Sequence, residues 1–334
     1  MAAGPPPDRP ADLDWLPYPD RGLVDLNRYC PSVGFYRARP STSMITTTGC
    51  PNQCRFCHAY RRMQVRSVEN VMGEIHECAT QHGVRHIVFW DESLTYNRDR
   101  LLNLCRSLIR SRLRVWWCAN ARVDQVDAEL LGVMRRAGCW KLLVGCESGV
   151  QKHLDAMGKN FTLEDVSRGV RLIRDAGIQP FGTFMFGIPG ETFEDGLQTI
   201  RFACSIRLDY AAFLNFCPWP GSEIYRNCDR YGTHLDRWSL QKVCFVPHTM
   251  TLDQMCRLKE LAFRRFYMRP RFLLHKVLTI RSLEDIRRYT RGFMAYSRVR
   301  ASEFAANGDE PANRGARADR VRPHARHSQP ASTD

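Results

Sequence analysis

Three cysteines lie within eight residues, in the run Cys50-Pro-Asn-Gln-Cys54-Arg-Phe-Cys57. Cysteine thiolates hold iron–sulfur clusters, and a [4Fe–4S] cluster usually takes four of them. The next cysteine along the chain, Cys78, falls inside a predicted helix, so no fourth thiol follows nearby. The spacing therefore predicts a [4Fe–4S] cluster with three protein ligands and one iron that is free to bind another molecule.

Two other groups could use the same residues. A structural zinc site needs four closed ligands, so His58 would have to join the three cysteines, and adjacent Cys57 and His58 rarely both reach one tetrahedral ion. The segment from Cys54 to His58 also matches the motif of c-type haem attachment. That attachment needs export, and residues 1–10 contain no apolar signal-peptide region. Both groups, and clustering of cysteines by chance, explain the motif less well than an iron–sulfur cluster.

Strand-like and helix-like segments alternate around these cysteines. The candidate strands are residues 43–48, 86–90, 114–118, 141–145, 181–186 and 211–216. The candidate helices are residues 68–81, 98–111, 128–137, 163–176 and 193–206. Glycines mark helix ends at Gly83, Gly138 and Gly177, and capping boxes mark helix starts at Thr162, Thr192 and Ser282. The alternation predicts an α/β fold with a parallel sheet, open or curled into a partial barrel, and functional loops at the carboxyl ends of the strands.

The cysteine loop after the first strand, with Phe56 before the third cysteine, resembles the radical S-adenosylmethionine (SAM) superfamily. Further stretches after the next four strands are similar to motifs of that family, in the same order: Phe89-Trp-Asp91-Glu-Ser93, Asn120-Ala-Arg122-Val-Asp124, Gly145-Cys-Glu147-Ser148-Gly149 and Gly187-Ile-Pro-Gly190-Glu191-Thr192. The resemblance runs from about residue 16 to residue 300. It is strongest to the branch that usually carries an N-terminal cobalamin-binding domain, which includes anaerobic magnesium-protoporphyrin ester cyclases and C-methylases.

The resemblance implies a partial (β/α)6 barrel with a helical C-terminal extension, in which Cys50, Cys54 and Cys57 hold the [4Fe–4S] cluster. In this family the unique iron chelates SAM, and one electron cleaves SAM to a 5′-deoxyadenosyl radical that abstracts a substrate hydrogen. The implied SAM-binding residues are Phe56, Asp91, Asn120, Arg122, Glu147, Ser148, Gly187 and Gly190. Arg122 and Glu147 suit the charged methionine end or the ribose, but either could equally be a salt-bridged core residue. No catalytic residue is assigned.

The sequence departs from that branch in its N-terminal part. The cobalamin-binding module carries an Asp-x-His-x-x-Gly motif that does not occur here, and only about 40 residues precede the first strand. We therefore expect cobalamin to be bound through a partner chain or not used. A radical SAM enzyme is the first hypothesis. A cobalamin-assisted C-methyltransferase with a separate corrinoid-binding chain is the second, and a non-catalytic iron–sulfur sensor or electron carrier is the third.

Charge divides the chain into regions. The formal net charge is +14 at pH 7, and residues 257–300 hold 13 Lys/Arg against 3 Asp/Glu. We expect an N-terminal arm or connector at 1–40, the core barrel at 41–245, a basic helical extension at 246–300 and a disordered tail at 301–334. The basic helices present either a solvated face or a dock for an anionic amphiphile, a tetrapyrrole or a membrane surface. Because the excess charge is local, nucleic acid is not an expected partner.

The remaining expectations concern the environment of the protein. No apolar run approaches 18 residues, which excludes a membrane span from the sequence pattern. Fourteen cysteines are fewer than a disulfide scaffold of this length would use, so most are expected to be reduced. We expect a cytoplasmic enzyme, with peripheral membrane contact as an option, a small-molecule substrate and an electron donor such as flavodoxin or ferredoxin.

Overall fold

A parallel sheet forms the centre of the computed structural model, which describes residues 12–29, 36–235, 243–270 and 272–274. The strands, in chain order, are β1 (Ser41–Met44), β2 (Thr47–Thr48), β3 (Gln64–Val65), β4 (His86–Phe89), β5 (Trp116–Ala121), β6 (Cys139–Glu147), β7 (Gln179–Phe186), β8 (Tyr210–Asn215), β9 (Gly232–His234) and β10 (Phe245–Pro247). The six-stranded sheet has the order β1-β4-β5-β6-β7-β8 and is parallel throughout. The strands β2 and β3, and β9 and β10, form antiparallel pairs.

Helices connect the strands of this sheet. They are α1 (Val68–Thr80), α2 (Arg98–Ser111), α3 (Ala128–Arg136), α4 (Gln151–Ala156), α5 (Leu163–Asp175), α6 (Phe193–Ser205), α7 (Glu223–Arg226), α8 (Cys228–Tyr231) and α9 (Leu252–Tyr267). Two short 3-10 turns, Arg21–Leu23 and Leu26–Arg28, precede the sheet. The predicted α/β fold is confirmed, with a partial barrel of six parallel strands whose carboxyl ends share one edge.

Local signals placed most of these elements correctly. Thr162 and Thr192 each accept a hydrogen bond from the backbone N–H three residues on, and the aspartates at those positions bond back, so both capping boxes are present. Gly83, Gly138 and Gly177 all have positive φ at helix ends, where an L-residue would be strained. A further capping box, between Thr251 and Gln254 at the start of α9, was not predicted. The predicted box at Ser282 lies outside the described residues.

The first strand differs from its prediction. It was expected at residues 43–48, but β1 ends at Met44 and the chain then turns into β2, which pairs with β3. The reason is the buried Asp91 carboxylate after β4, which accepts hydrogen bonds from the backbone N–H and the hydroxyl of both Thr46 and Thr47. These four bonds hold the chain out of the parallel sheet just before the cysteine loop.

Large apolar side chains fill the space between the sheet and the helices. Trp117, Phe186 and Phe213 all belong to this main core. Trp219, by contrast, is 37% exposed. A second, smaller cluster of Val88, Cys118 and Trp140 packs on the opposite face of the sheet. The main core fixes the strands, and their carboxyl ends position the loops that follow.

The C-terminal extension is described only in its first part. Helix α9 packs against α6 so closely that a Cβ at Gly196 would lie 2.4 Å from the Leu258 Cδ1 atom. Within the described ranges, no helix combines the length and apolar character that a membrane span requires. The predicted basic helices beyond residue 274 and the predicted disordered tail lie outside the described residues, and the predicted region boundaries stay predictions.

Candidate functional site

The cysteine loop closes on itself directly after β2. Gly49 has a φ of 82°, and a Cβ there would lie 2.3 Å from the Arg62 carbonyl oxygen, so only glycine fits this approach. The Cys50 N–H donates to the Tyr60 carbonyl at 2.8 Å. The Arg61 guanidinium donates to the carbonyl oxygens of Asn52, Cys54 and Cys57. Backbone and side-chain bonds therefore set the shape of the loop before any ligand is considered.

Each of the three thiols faces an N–H donor. The Asn52 side-chain amide lies 3.2 Å from the Cys50 sulfur, and the Ala59 N–H lies 3.4 Å from the Cys57 sulfur. The Arg122 Nη1 atom lies 3.8 Å from the sulfur of Cys54, which is buried. Donors of this kind stabilise thiolate ligands and tune iron–sulfur clusters. The three cysteine sulfurs, together with the N–H groups that face them, therefore fit the protein ligands of a [4Fe–4S] cluster.

His58 has a different environment from the three cysteines. Its ring stacks on Trp219 with a centroid distance of 5.0 Å.

Across the parts of the chain that the structure describes, no group of three or more His, Cys, Asp and Glu side chains has the arrangement of a single-metal site. Burial raises the pKa of the Cys57 thiol, an effect that a bound metal cluster would reverse.

The cysteine loop is anchored to segments that follow two distant strands. The Arg55 N–H donates to the Met157 carbonyl at 2.9 Å, and the Arg55 carbonyl accepts from the Ile224 N–H at 3.2 Å. The Arg55 guanidinium also forms an ion pair with Glu223 at 2.6 Å. These contacts join the segments after β2, β6 and β8, so the loop crosses the carboxyl edge of the partial barrel.

A charged network lies beside the Cys54 thiol. The Lys159 ammonium contacts the Glu147 carboxylate at 2.9 Å, and both side chains are nearly buried. Arg122 binds Asp124 through two bonds of 3.0 Å and donates to the Lys159 carbonyl at 2.7 Å. Burial alone would lower the pKa of Lys159 and of Arg122, but Glu147 raises the pKa of Lys159 and Asp124 raises that of Arg122. Two cations are therefore held charged beside the cysteine loop.

The backbone of β6 is shaped to hold this network. Its register with β7 shifts between Gly145 and Glu147, and Glu147 has a φ of 59°. A Cβ at Gly145 would lie 2.3 Å from the Glu147 Oε1 atom and 3.3 Å from the Lys159 Nζ atom. The positive φ at a glutamate is a costly backbone conformation that the surrounding structure must stabilise. The register shift and the positive φ together place the Glu147 carboxylate next to the Lys159 ammonium.

Lys159 is not among the site residues that the sequence motifs predict. It lies 12 residues after Glu147, beyond α4, and only the turn at Gly158, with a φ of 67°, brings it back to the edge. Its ammonium also lies 5.8 Å from the centre of the Phe56 ring and 5.3 Å from that of Phe161. A single lysine after a short helix does not by its residue type predict a binding site. Its place in the segment that follows the predicted motif around Glu147 is the one feature of the sequence that could have indicated it.

Asp91 has strong intramolecular partners. Its side chain is fully buried, and one carboxylate oxygen accepts all four hydrogen bonds from Thr46 and Thr47. The other oxygen, Oδ2, has no hydrogen-bond partner among the described residues. Burial raises the pKa of Asp91, and the threonine bonds partly offset this. In this conformation Asp91 organises the entry to the cysteine loop, and a contact between Asp91 and SAM stays a prediction.

Three other predicted residues occupy the same edge with different partners. The Asn120 side-chain amide donates to the Asp91 carbonyl at 3.4 Å. The Phe56 ring packs near Phe216 with a centroid distance of 6.4 Å. The Ser148 hydroxyl is buried and lies 3.3 Å from the Thr199 hydroxyl on α6. Asn120 and Phe56 border the edge, whereas the Ser148 side chain points into the protein, so a direct contact of Ser148 with a ligand would have to use its backbone.

The turn after β7 contains the last predicted residues. Gly187 and Gly190 have φ values of 88° and 78°, which few other residues adopt. Glu191 is fully buried, and its carboxylate accepts from the Gly187 N–H at 2.6 Å and the Ile188 N–H at 3.2 Å. Burial raises the pKa of Glu191 to about 8, although these two bonds act in the opposite direction. Glu191, which was not predicted as a site residue, fixes the shape of the turn.

The comparisons with known proteins agree with this geometry. The family model described as the radical SAM superfamily matches residues 44–203. An uncharacterised methyltransferase of Pyrococcus horikoshii is 27% identical over 282 residues, which cover 81% of this chain and 60% of that protein. The anaerobic magnesium-protoporphyrin IX monomethyl ester cyclase of Rubrivivax gelatinosus is 32% identical over 270 residues, covering 75% and 48%. The chain thus spans about half to three fifths of the length of these two relatives.

A solved structure has a similar fold. The radical SAM methyltransferase TsrM of Kitasatospora setae, in a structure with cobalamin and a [4Fe–4S] cluster bound, superposes with a TM-score of 0.54. The identity is 21%, and the match covers 66% of this chain and 46% of that one. At this identity the likeness supports the fold, which is the partial barrel described above.

Proposed function

Since this chain belongs to the radical SAM superfamily, we propose that it holds a [4Fe–4S] cluster through Cys50, Cys54 and Cys57 and binds SAM at the carboxyl edge of its barrel. When bound, the cluster supplies the electron that cleaves SAM to a 5′-deoxyadenosyl radical, which abstracts a hydrogen from a small-molecule substrate. The observation that carries this proposal is the convergence of three donor-supported thiols with the Arg122, Lys159 and Glu147 charges on one edge.

The charged network has a defined task in this proposal. SAM carries a carboxylate and an ammonium group at its methionine end. Lys159 and Arg122 lie beside Cys54 and would attract the carboxylate. Glu147, held by Lys159, would bond either the ammonium group or the ribose hydroxyls. The glycine turn after β7, shaped by Glu191, allows the close backbone approach that a flat adenine ring needs.

The substrate and the electron donor are proposed at the level of chemical class. The named cyclase relative acts on a magnesium-protoporphyrin ester, which supports a tetrapyrrole or another large, planar, anionic molecule as substrate. Exposed Arg61 and Arg62 lie on or beside the cysteine loop, which supports docking of an acidic electron-donor protein. The proposed contact of the basic C-terminal segment with an anionic amphiphile or a membrane concerns residues largely outside the described ranges.

The proposal is tested by anaerobic reconstitution of the purified chain with iron and sulfide, followed by addition of dithionite and SAM. The expected result is formation of 5′-deoxyadenosine, measured by chromatography and mass spectrometry, and only when reductant is present. A stable cluster with no 5′-deoxyadenosine would contradict the enzyme assignment and favour the iron–sulfur sensor or electron carrier. Reconstitution without added iron serves as the matched control.

A cobalamin-assisted C-methyltransferase is the second candidate. It is favoured by the methyltransferase name of the Pyrococcus horikoshii relative and by the cobalamin-bound structure with the same fold. The two candidates differ in the fate of SAM, because methyl transfer also yields S-adenosylhomocysteine. Repeating the assay with hydroxocobalamin, with and without a separate corrinoid-binding protein, distinguishes them. Production of S-adenosylhomocysteine that depends on cobalamin would favour the methyltransferase.

A further inference from the structure

A cavity opens at the amino-terminal edge of the sheet, on the side opposite the cysteine loop. It has a volume of about 130 Å³ and lies between the C-terminal ends of α5 and α6 and the segment that follows α9. One water molecule needs only about 10–15 Å³ measured in this way, so the cavity has room for a group of several heavy atoms. Its lining residues are Arg174, Cys204, Ser205, Ile206, Arg207, Leu208, Asp209, Arg269 and Phe272.

The lining is strongly cationic. Three arginines, Arg174, Arg207 and Arg269, line the cavity, and Asp209 is the one acidic residue among the lining residues. The Asp209 carboxylate is nearly buried and lies 3.4 Å from the Arg174 Nη1 atom. One carboxylate balances one guanidinium group, so the cavity keeps an excess of positive charge that an anion would neutralise.

One simpler role for these arginines is to cap the helices that end here, because cations near a helix C-terminus bond its last carbonyl groups. Arg269 does this, since its Nη1 atom donates to the Cys204 carbonyl at 2.6 Å and its Nε atom donates to the Phe266 carbonyl at 2.8 Å. Capping therefore accounts for Arg269, which is held in place by two short bonds.

Capping does not account for the other two arginines. Arg174 uses only Nη1, in two long contacts of 3.4 Å with the Arg207 carbonyl and with Asp209. Its Nε and Nη2 atoms, and the whole guanidinium group of the exposed Arg207, form no hydrogen bond with any described residue. A guanidinium group has five N–H donors in a fork that matches the oxygens of a phosphate. Two arginines thus keep most of their donors for a ligand.

From this arrangement we propose that the cavity binds the phosphate or pyrophosphate group of a small molecule. Arg269 supplies a fixed cation, and Arg174 and Arg207 close on the anion from the other sides. A tetrahedral, multiply charged phosphate can accept bonds from all three guanidinium groups, whereas a single carboxylate has one charge and one plane. The site is separate from the SAM-binding edge and does not depend on the proposed function.

The test is isothermal titration of the full-length, cluster-reconstituted chain with inorganic phosphate and with pyrophosphate. Acetate serves as a planar, singly charged control anion. The expected result is saturable binding of pyrophosphate with one site per chain, tighter than that of phosphate, and no measurable binding of acetate. In the double variant with Arg174→Gln and Arg207→Gln, pyrophosphate binding is expected to weaken at least tenfold.

The matched control is Arg201→Gln, an exposed arginine on α6 that pairs with Glu194 away from the cavity. Its affinity for pyrophosphate is expected to equal that of the unchanged chain. Absence of saturable binding to the unchanged chain, or an equal loss of affinity in the control and the double variant, would overturn the site. Should the double variant fail to fold, the single change Arg207→Gln at an exposed side chain provides the same comparison, with an expected loss of about fivefold or more.

Discussion

The carboxyl and amino edges of the six-stranded sheet each bury a lysine ammonium group, but they surround it differently. At the carboxyl edge, Lys159 lies 2.9 Å from the Glu147 carboxylate. At the amino edge, Lys141 is fully buried, and its ammonium lies 4.5 Å from the centre of the Tyr210 ring and 4.6 Å from that of Trp140. Aromatic faces attract a cation through their π-electrons, and the Glu147 carboxylate attracts the Lys159 ammonium as the partner of an ion pair.

The other polar groups at the two edges differ in how completely they are hydrogen-bonded. Beside Lys141, the His86 ring accepts from the Trp140 indole N–H at 2.8 Å and lies 3.0 Å from the Ser41 hydroxyl. At the carboxyl edge, the buried carboxyl groups of Asp91 and Glu191 each keep one oxygen without a hydrogen-bond partner among the described residues. Incompletely bonded buried groups are costly and collect at functional sites. These differences support a stabilising role for the polar groups around His86, and they fit the SAM binding that we propose at the carboxyl edge.

The largest expected effect is the loss of the iron–sulfur cluster at the carboxyl edge. The change Cys54→Ala removes one of the three proposed thiolate ligands, so the reconstituted chain is expected to lose its cluster entirely, while the unchanged chain is expected to hold about four irons. Iron analysis and the visible spectrum measure this. The control is Cys105→Ala, which removes a fully buried thiol in α2 and should leave the iron content unchanged. Full iron content in the Cys54 variant would refute the ligand assignment.

The second effect concerns the ion pair of Lys159 at the carboxyl edge, and it is compared below with a change at Lys141 at the amino edge. The change Glu147→Ala leaves Lys159 as an unpaired buried cation, which is expected to cost about 3–5 kcal/mol of stability. It should also weaken SAM binding about ten- to a hundredfold, because a charge-assisted hydrogen bond is lost. Denaturant unfolding and SAM titration of the reconstituted chain measure the two effects.

The companion variant at the other edge is Lys141→Met, which removes the cation but keeps an apolar side chain of similar length. Its expected cost is smaller, about 1–2 kcal/mol, and SAM affinity should not change. Equal losses of SAM affinity in the two variants would contradict the division of roles between the edges.

The third effect is a pH dependence of the free energy of unfolding, which His86 at the amino edge causes. Burial, aided by the charge of Lys141, lowers the pKa of His86 from 6.5 to about 4. Between these pH values the unfolded chain binds a proton that the folded chain does not, so stability falls as the pH is lowered from about 6.5 towards 4. The loss contributed by His86 is about 3 kcal/mol in total. Thermal unfolding of the unchanged chain and of His86→Gln at pH 7 and pH 5 measures it, and an identical pH dependence in both would contradict it.

The smallest effect concerns the helix that braces the carboxyl edge. Thr192 caps α6 in a box with Asp195, and Thr192→Ala is expected to cost about 1 kcal/mol. The matched change Thr162→Ala at the identical box of α5 should cost the same in stability. Only the Thr192 variant should alter SAM affinity, and by a small factor, because Thr192 directly follows the turn fixed by Glu191. Thermal midpoints and SAM titrations compare the two variants.

The elements and the cysteine motif could be predicted because their signals are local. A capping box such as that of Thr162 brings its partner within three residues, and Gly138 marks a helix end by its own conformation. The cysteine motif is equally local, since its three thiols lie within eight residues. The end of β1 was predicted wrongly because the deciding group, Asp91, lies more than 40 residues away along the chain.

The sequence alone determined the order of strands and helices, the place of the cysteine loop at a strand end and the family resemblance. Only the tertiary structure decided which partners the charged residues have. Lys159 reaches Glu147 because β6 carries a register shift and Gly158 turns the chain back, and Ser148 is directed to Thr199 by the packing of α6. Hydrogen bonds and ion pairs depend on distances between residues that are remote in the chain, and local propensity does not specify those distances.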